Sequence, residues 1–261
     1  MTAEKVVFTV LTKDYDELRQ PESIRRDFDY ICFCNDFTET NIGIWQIRPI
    51  PYENSEPVRM CRYVKLLPHR LLPEYKYSLW LDCNQRLTEE LYRRFDKCIA
   101  DNSRCAMVVH PERDCTYQEA YVLIGGLVDR PEIIYRQTEY LLRNNFPPRC
   151  GLFVTCCIFR EHNNRGIVDF DELWWQLLDE FSFRDQMSVM FALRATGIRP
   201  AIFYGRDFWQ KFRLDHTKTV RDYSIVEKIY RRFRSKIWII KLAGLLRKNS
   251  IYDFLNEDVE L

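Results

Sequence analysis

The chain has 261 residues, a formal net charge of +1, 46% hydrophobic residues and 30% charged residues. This balance is ordinary for a globular protein and excludes both a globally basic nucleic-acid binder and a mostly disordered chain. The charge is unevenly spread, however: residues 228–248 hold eight Lys or Arg and no acid, which leaves −7 for the remainder.

Met1-Thr-Ala-Glu-Lys5 leads directly into an apolar run rather than a secretory signal, and no stretch of about 18 uninterrupted apolar residues exists. A cytoplasmic chain with reduced cysteines is therefore expected. Neither Cys32/Cys34 nor Cys156/Cys157 has the spacing of a zinc site, so most of the ten cysteines are expected to act as small buried hydrophobes.

In chain order, the pattern predicts strands at Val6–Leu11, Tyr30–Cys34 and Ile44–Ile50, then a helix over Pro57–Leu72, where Val58, Cys61, Val64, Lys65 and Leu71 recur at helical spacing. A strand at Tyr77–Leu81 precedes a helix over Thr88–Ala100, whose first turn carries Glu89 and Glu90 as the helix dipole favours. A strand at Cys105–Val109 follows, then a helix over Pro131–Asn144 and the apolar run Leu152–Phe159. Helical pattern over Asp171–Thr196, broken near Phe181, leads to a last strand at Pro200–Tyr204. Strands alternating with helices imply an α/β fold with a mostly parallel sheet. Residues 1–220 read as one domain and 221–261 as a helical tail. In that tail Val226, Ile229, Tyr230, Phe233, Ile237 and Ile240 share one helical face among basic residues. Such a helix, over residues 225–248, either lies on an anionic membrane surface or docks on the domain with a solvated basic face.

The most informative segment is Tyr77-Ser-Leu-Trp-Leu-Asp-Cys-Asn84, an apolar strand ending abruptly in polar residues. Ligands of open α/β sheets bind beyond the carboxyl ends of strands, and hard cations prefer oxygen donors. Residues i and i+2 of extended chain point to one side, so Asp82 and Asn84 are candidates to hold one ion. The alternative is an ordinary strand-end turn. At the end of the first strand, Thr12, Asp14 and Tyr15 are placed where a nucleotide often sits, although no GxGxxG or P-loop motif is present. Arg59, Arg62 and Lys65 recur every third residue on one helix face and could neutralise a diphosphate.

Three further polar clusters stand out. In His110-Pro-Glu-Arg-Asp-Cys-Thr-Tyr-Gln-Glu119, Arg113 could clamp an anion while Asp114 and Glu119 orient an acceptor hydroxyl; an N-cap at Asp114 and an Arg–Glu pair is the structural alternative. In Ser182-Phe-Arg-Asp-Gln186, Asp185 is either a base or substrate orienter, or the partner of Ser182 in a capping box. In Arg160-Glu-His-Asn-Asn164, His162 is either a ligand-contacting group or a surface histidine.

Taken in order, Arg62-x-x-Lys65-x-x-Pro-His69, Leu72-Pro-Glu-Tyr-Lys-Tyr through Asn84, His110 through Ala120, and Arg184-Asp-Gln186 resemble a family of glycosyltransferase-like proteins of the GT-A type, found in bacterial surface-polysaccharide loci and in plants. The resemblance spans roughly residues 5–215. It implies a GT-A-like fold, a nucleotide-sugar donor, and Mn²⁺ or Mg²⁺ held where such enzymes carry Asp-x-Asp, here Asp82 and Asn84. Asp185 matches the later acidic position that faces the acceptor or the transferred sugar. A late histidine often completes the metal site, which makes His216 a candidate ligand. This chain departs from the family in carrying Cys83 where glycine is usual and the neutral Asn84 in place of a second acid.

The expectation is a metal-dependent glycosyltransferase with Asp185 as orienter or base. Thr12, Asp14, Tyr15, Arg62, Lys65 and Asp82 would serve the donor, and Arg113, Asp114, Glu119 and His162 the sugar and acceptor. The acceptor is a glycan or lipid-linked glycan of surface-polysaccharide biosynthesis, with the basic tail at the inner face of the membrane. A non-catalytic nucleotide-sugar- or glycan-binding protein of the same fold is the alternative, motivated by Asn84.

Overall fold

A computed structural model describes residues 4–12, 16–214 and 224–252. Eight strands form one sheet in the order β3-β4-β2-β1-β5-β7-β6-β8. Their spans are β1 Lys5–Val10, β2 Phe28–Phe33, β3 Asn41–Ile42, β4 Trp45–Arg48, β5 Tyr77–Leu81, β6 Cys105–Val109, β7 Phe153–Arg160 and β8 Ala201–Tyr204. β1 pairs in parallel with β2 and β5, β2 with β4, and β6 with β8. β7 runs antiparallel to both β5 and β6, and β3 antiparallel to β4. Six strands therefore share one direction, and the fold is the mostly parallel α/β sheet that the alternation of elements predicts.

The helices are α1 Pro57–Leu66, α2 Pro68–Leu71, α3 Glu89–Ala100, α4 Thr116–Gly126, α5 Pro131–Arg143, α6 Arg165–Glu180, α7 Val189–Thr196, α8 Phe208–Phe212 and α9 Ile225–Lys248. The predicted helix over Pro57–Leu72 is two pieces because Pro68 cannot continue the first. The predicted break near Phe181 is present; Phe181 ends α6, and a short 3-10 turn at Asp185–Met187 precedes α7.

Period-two alternation sorts the strands between two cores. In β1, Val6, Phe8 and Val10 face a cluster closed by Val64 of α1 and by Phe170 and Trp174 of α6. Val7 faces a second cluster, with Leu91, Tyr92 and Phe95 of α3 and Phe208 and Phe212 of α8. A third core joins α4 and α5 to α9, through Leu123, Ile134, Leu242 and Leu246.

The tail docks, but not by the predicted face. Val226, Ile229, Tyr230, Phe233, Ile237 and Ile240 are exposed, while Trp238, Ile239, Leu242, Leu245 and Leu246 make the contact. The helix has two apolar faces, and the domain uses the second.

The reversal of β7 decides which residues reach which edge of the sheet. Its amino end lies beside the carboxyl end of β5, with Leu81 opposite Cys157, and its carboxyl end lies beside the start of β5, with Ser78 opposite Arg160. The whole Arg160–Asn164 cluster therefore falls at the edge away from Asp82. There its residues are structural. Arg160 pairs with Asp171 of α6 at 3.1 Å, both fully buried, and Asn164 caps α6 by accepting from the Gly166 N–H. His162 is a correction to the sequence reading: it is no surface histidine but fully buried, its Nε2 bonds the Leu72 carbonyl at 2.9 Å, and it stands at the edge of the sheet away from Asp82.

Burial lowers the His162 pKa to about 4, below the unfolded value of about 6.5. As the pH falls, the unfolded chain takes up this proton first, so the contribution is complete above pH ~6.5 and is lost between there and pH ~4. Moving from pH 7 to pH 5 should cost about 2 kcal/mol through this one group. Urea unfolding at the two pH values should show that increment disappear in His162→Gln; an unchanged pH dependence would mean that the imidazole titrates alike in the folded and unfolded chain.

Candidate functional site

The carboxyl ends of β1 and β5, the amino end of β7, one face of α1 and the turn before α7 enclose a cleft of about 540 Å³. Its lining includes Thr12, Arg62, Lys65, Asp82, Asn84, Thr155, Arg184, Asp185, Trp209 and Arg213. Most polar side chains here are placed by one local event each.

β5 stops at Leu81, and the chain turns, the Gln85 N–H bonding the Asp82 carbonyl at 2.9 Å. The strand-end turn is present, and Asp82 and Asn84 also line the cleft. The extended geometry assumed for the pair is absent, because Cys83 and Asn84 lie within the turn. The Asp82 N–H is tied to the Cys156 carbonyl, and its Oδ1 accepts from the Trp80 indole at 2.8 Å. The Asn84 Oδ1 accepts from Gln85 Nε2, and its carbonyl accepts from Leu214 N–H.

On α1 the three predicted cations share a face but have three tasks. Arg59 reaches the last turn of α6 and donates to the carbonyls of Leu178 and Phe181, at 2.6 and 3.0 Å, where the helix dipole is negative. Arg62 donates to the Phe183 carbonyl and lies 3.5 Å from Asp185. Lys65 is 1% exposed and donates to Asp185 Oδ2 at 2.7 Å and Thr155 Oγ1 at 2.9 Å, with Asp82 Oδ1 at 3.6 Å. Thr155 reaches this cluster because the β6–β7 register slips, Met107 facing Ile158 and Val108 facing Val154. The irregularity frees residues 155–157 from the β6 ladder and turns Thr155 into the cleft.

Asp185 is 2% exposed and also accepts from Thr155 Oγ1 at 2.7 Å. Burial opposes its ionisation, yet the charges of Arg62 and Lys65 and these hydrogen bonds hold it far below the usual carboxylate range. A general base works best with a pKa near the operating pH; in this structure the Asp185 carboxylate is engaged by Lys65 and Thr155. The alternative capping box is absent. Ser182 donates to Asp129 Oδ2 at 2.6 Å, and Asp185 faces α1.

The loop after β6 stands at the same edge but outside the cleft lining. Arg113 Nε donates to Glu119 at 2.7 Å and Glu119 is buried, so this pair is structural. Asp114 does not cap α4; Cys115 holds that position without a side-chain cap. His110 accepts from the N–H groups of Glu112 and Arg113 and packs edge-on near Trp209, and this ring links the loop to the cleft. Asp14, Tyr15 and His216 lie outside the described residues.

The sequence reading assigned no role to Thr155, Trp209, Arg184 or Arg213. Arg184 was signalled by its place beside Asp185; Thr155 is an ordinary strand residue, and Arg213 had no signal at all. Within the described lining, four cations (Arg62, Lys65, Arg184 and Arg213) stand against two carboxylates, Asp82 and Asp185, so the cleft favours an anion. All ten cysteines are unpaired and seven are buried. Cys61, Cys83 and Cys156 line the cleft, and burial raises all three thiols, which keeps them protonated and weakly nucleophilic.

Among known proteins, the family model described as TOD1/MUCI70, glycosyltransferase-like domain, matches residues 1–204. That span includes every cleft residue named above except Trp209 and Arg213. A plant relative, the probable hexosyltransferase MUCI70 of Arabidopsis thaliana, is 26% identical over 212 residues; the match covers 70% of this chain and 36% of the relative.

Asp185→Asn leaves the buried Lys65 ammonium short of its closest counter-charge, at an expected cost of about 3–5 kcal/mol. The double variant Asp185→Asn/Lys65→Met should recover much of that loss in a denaturant-unfolding cycle. A loss under about 1 kcal/mol in the single variant would show that the pair is loose and solvated.

Proposed function

The chain belongs to the TOD1/MUCI70 glycosyltransferase-like domain family, and from that premise we propose that it transfers a sugar, of the hexosyl class, from a nucleoside-diphosphate donor to a glycan or lipid-linked acceptor. The observation that carries this reading is the cation-rich cleft at the carboxyl edge of the sheet, with Asp82 at its floor. Its size and charge suit a nucleotide diphosphate with an attached sugar. Arg62, Arg184 and Arg213 offer planar guanidinium groups to phosphate oxygens. Trp209 presents a face on which a sugar or base can stack. Lys65, held by Asp185, sets the field at the floor of the cleft without needing to move. Surface-polysaccharide assembly is the process in which we place the reaction.

The donor set bears on the metal. Among the described residues no three His, Cys, Asp or Glu side chains converge on one point, which does not fit an all-protein cage. It fits an ion shared with phosphates: Asp82 supplies a hard anionic oxygen and Asn84 a carbonyl at the cleft wall. A Mn²⁺ or Mg²⁺ held there would offset charge developing on the leaving diphosphate.

A second reading, a binding module of the same fold without turnover, is favoured by one observation: the buried carboxylate of the cleft is locked in an ion pair, and Asn84 replaces a second acid. The two readings separate in one series of assays.

Thermal unfolding with a panel of nucleotide sugars, with and without Mn²⁺, should show one nucleotide class raising the midpoint. Ligand at 100 times its Kd adds about 2.7 kcal/mol to apparent stability. Asp82→Ala, which leaves the Lys65–Asp185 pair in place, should remove the metal-dependent part. Consumption of the stabilising donor with acceptor present marks an enzyme, and stabilisation with no consumption marks the binding module. Absence of any shift would remove both.

A further inference from the structure

The amino-terminal two-thirds of α9 exposes an apolar face that no described residue covers. Ile225, Val226, Ile229, Tyr230, Phe233, Ile237 and Ile240 are between 43% and 77% exposed. At 3.6 residues per turn these seven side chains fall within an arc of about 140°. The docking residues Trp238, Leu242, Leu245 and Leu246 lie on the opposite side, against α4 and α5. The exposed face therefore points away from the domain and cannot reach its core without undocking the helix. The capping box between Ser224 and Glu227 starts the helix independently of any partner.

The charges around this face identify its occupant. Arg232 and Lys236 flank one edge, and Arg234 and Lys241 the other; of the four, Arg234 is already paired with Glu132. The only acid of the helix, Glu227, is used in the cap. An apolar stripe rimmed by cations on both edges meets both of its requirements at an anionic lipid surface, with acyl chains beneath the stripe and headgroup phosphates beside the rims. A second copy of this chain would instead bring like-charged rims together. The face runs from Ile225 to Ile240, about 22 Å at 1.5 Å per residue, and no described helix is long and apolar enough to cross a membrane. Only a lie in the plane of the interface remains. The geometry points to α9 as a peripheral membrane-docking helix that lays the domain on an anionic phospholipid bilayer. This holds whether or not the cleft transfers sugar.

The test is flotation of the full chain with vesicles of phosphatidylglycerol and phosphatidylcholine, and with phosphatidylcholine alone. Binding is expected only to the anionic vesicles, and it should weaken as salt rises. Ile229→Glu/Phe233→Glu should abolish it. Arg232→Gln/Lys236→Gln should weaken it about 25-fold, about fivefold per charge. All four positions are exposed, so the thermal midpoint and any donor-induced shift should stay at wild-type values, which separates this result from the fate of the cleft. No flotation with anionic vesicles, or equal flotation with both kinds, overturns the inference. So does a dimer in light scattering that Phe233→Glu disperses while vesicle binding is absent, since that outcome assigns the face to a second copy.

Discussion

The ammonium of Lys65 is the point around which the cleft is assembled. It is almost completely buried, and a charge in that position is tolerated only with counter-charge and hydrogen bonds in place. Asp185 and Thr155 supply them at 2.7 and 2.9 Å, and Asp82 adds a third anionic or polar oxygen at longer range. These three partners come from the turn before α7, the amino end of β7 and the carboxyl end of β5, and Lys65 itself stands on α1. One buried cation thus ties together four segments that are far apart in sequence, and its satisfaction specifies how they meet.

The surroundings reinforce that geometry from two sides. Arg59 and Arg62 fasten α1 to the carbonyls of residues 178, 181 and 183. On the far side, Asp129 accepts from both the Ser182 hydroxyl and the Phe183 N–H, while Gln137 accepts from the Ser182 N–H. The irregular stretch between α6 and α7 is therefore held by side chains where regular backbone pairing is missing. Asp185 is presented to Lys65 at a fixed position, as preorganised electrostatics requires. The outer ring of Arg184, Trp209 and Arg213 is less deeply set.

Much of this was legible in the chain because local rules dominate it. The strands at Val6, Tyr30, Tyr77 and Cys105 declare themselves by apolar runs, and the polar stop at Asp82 marks the edge where the cleft opens. What could not be read depends on strand direction. Nothing in Leu152–Phe159 says that β7 runs backward, yet that reversal sends Thr155 to the cleft and His162 to the other end of the sheet. Arg113 and Glu119 sit close in sequence and reached each other, an outcome that spacing alone left open. The tail shows the same limit in another form: its most regular apolar face faces outward, because the less obvious face fits α4 and α5.

The segment between β6 and β7 has one further consequence. Its entry and exit are neighbours, the His110 N–H bonding the Leu152 carbonyl at 2.9 Å, and all of α4 and α5 lies between them. A loop whose ends are already clasped can change length at little entropic cost, which grows only logarithmically with the number of residues. The excursion can therefore gain or lose residues without rethreading the sheet, provided that Asp129 and Gln137 keep their hold on residues 182 and 183 and so on the carboxylate that faces Lys65. Because α9 packs on α4 and α5, each such change would also reset where the exposed face of α9 lies relative to the cleft.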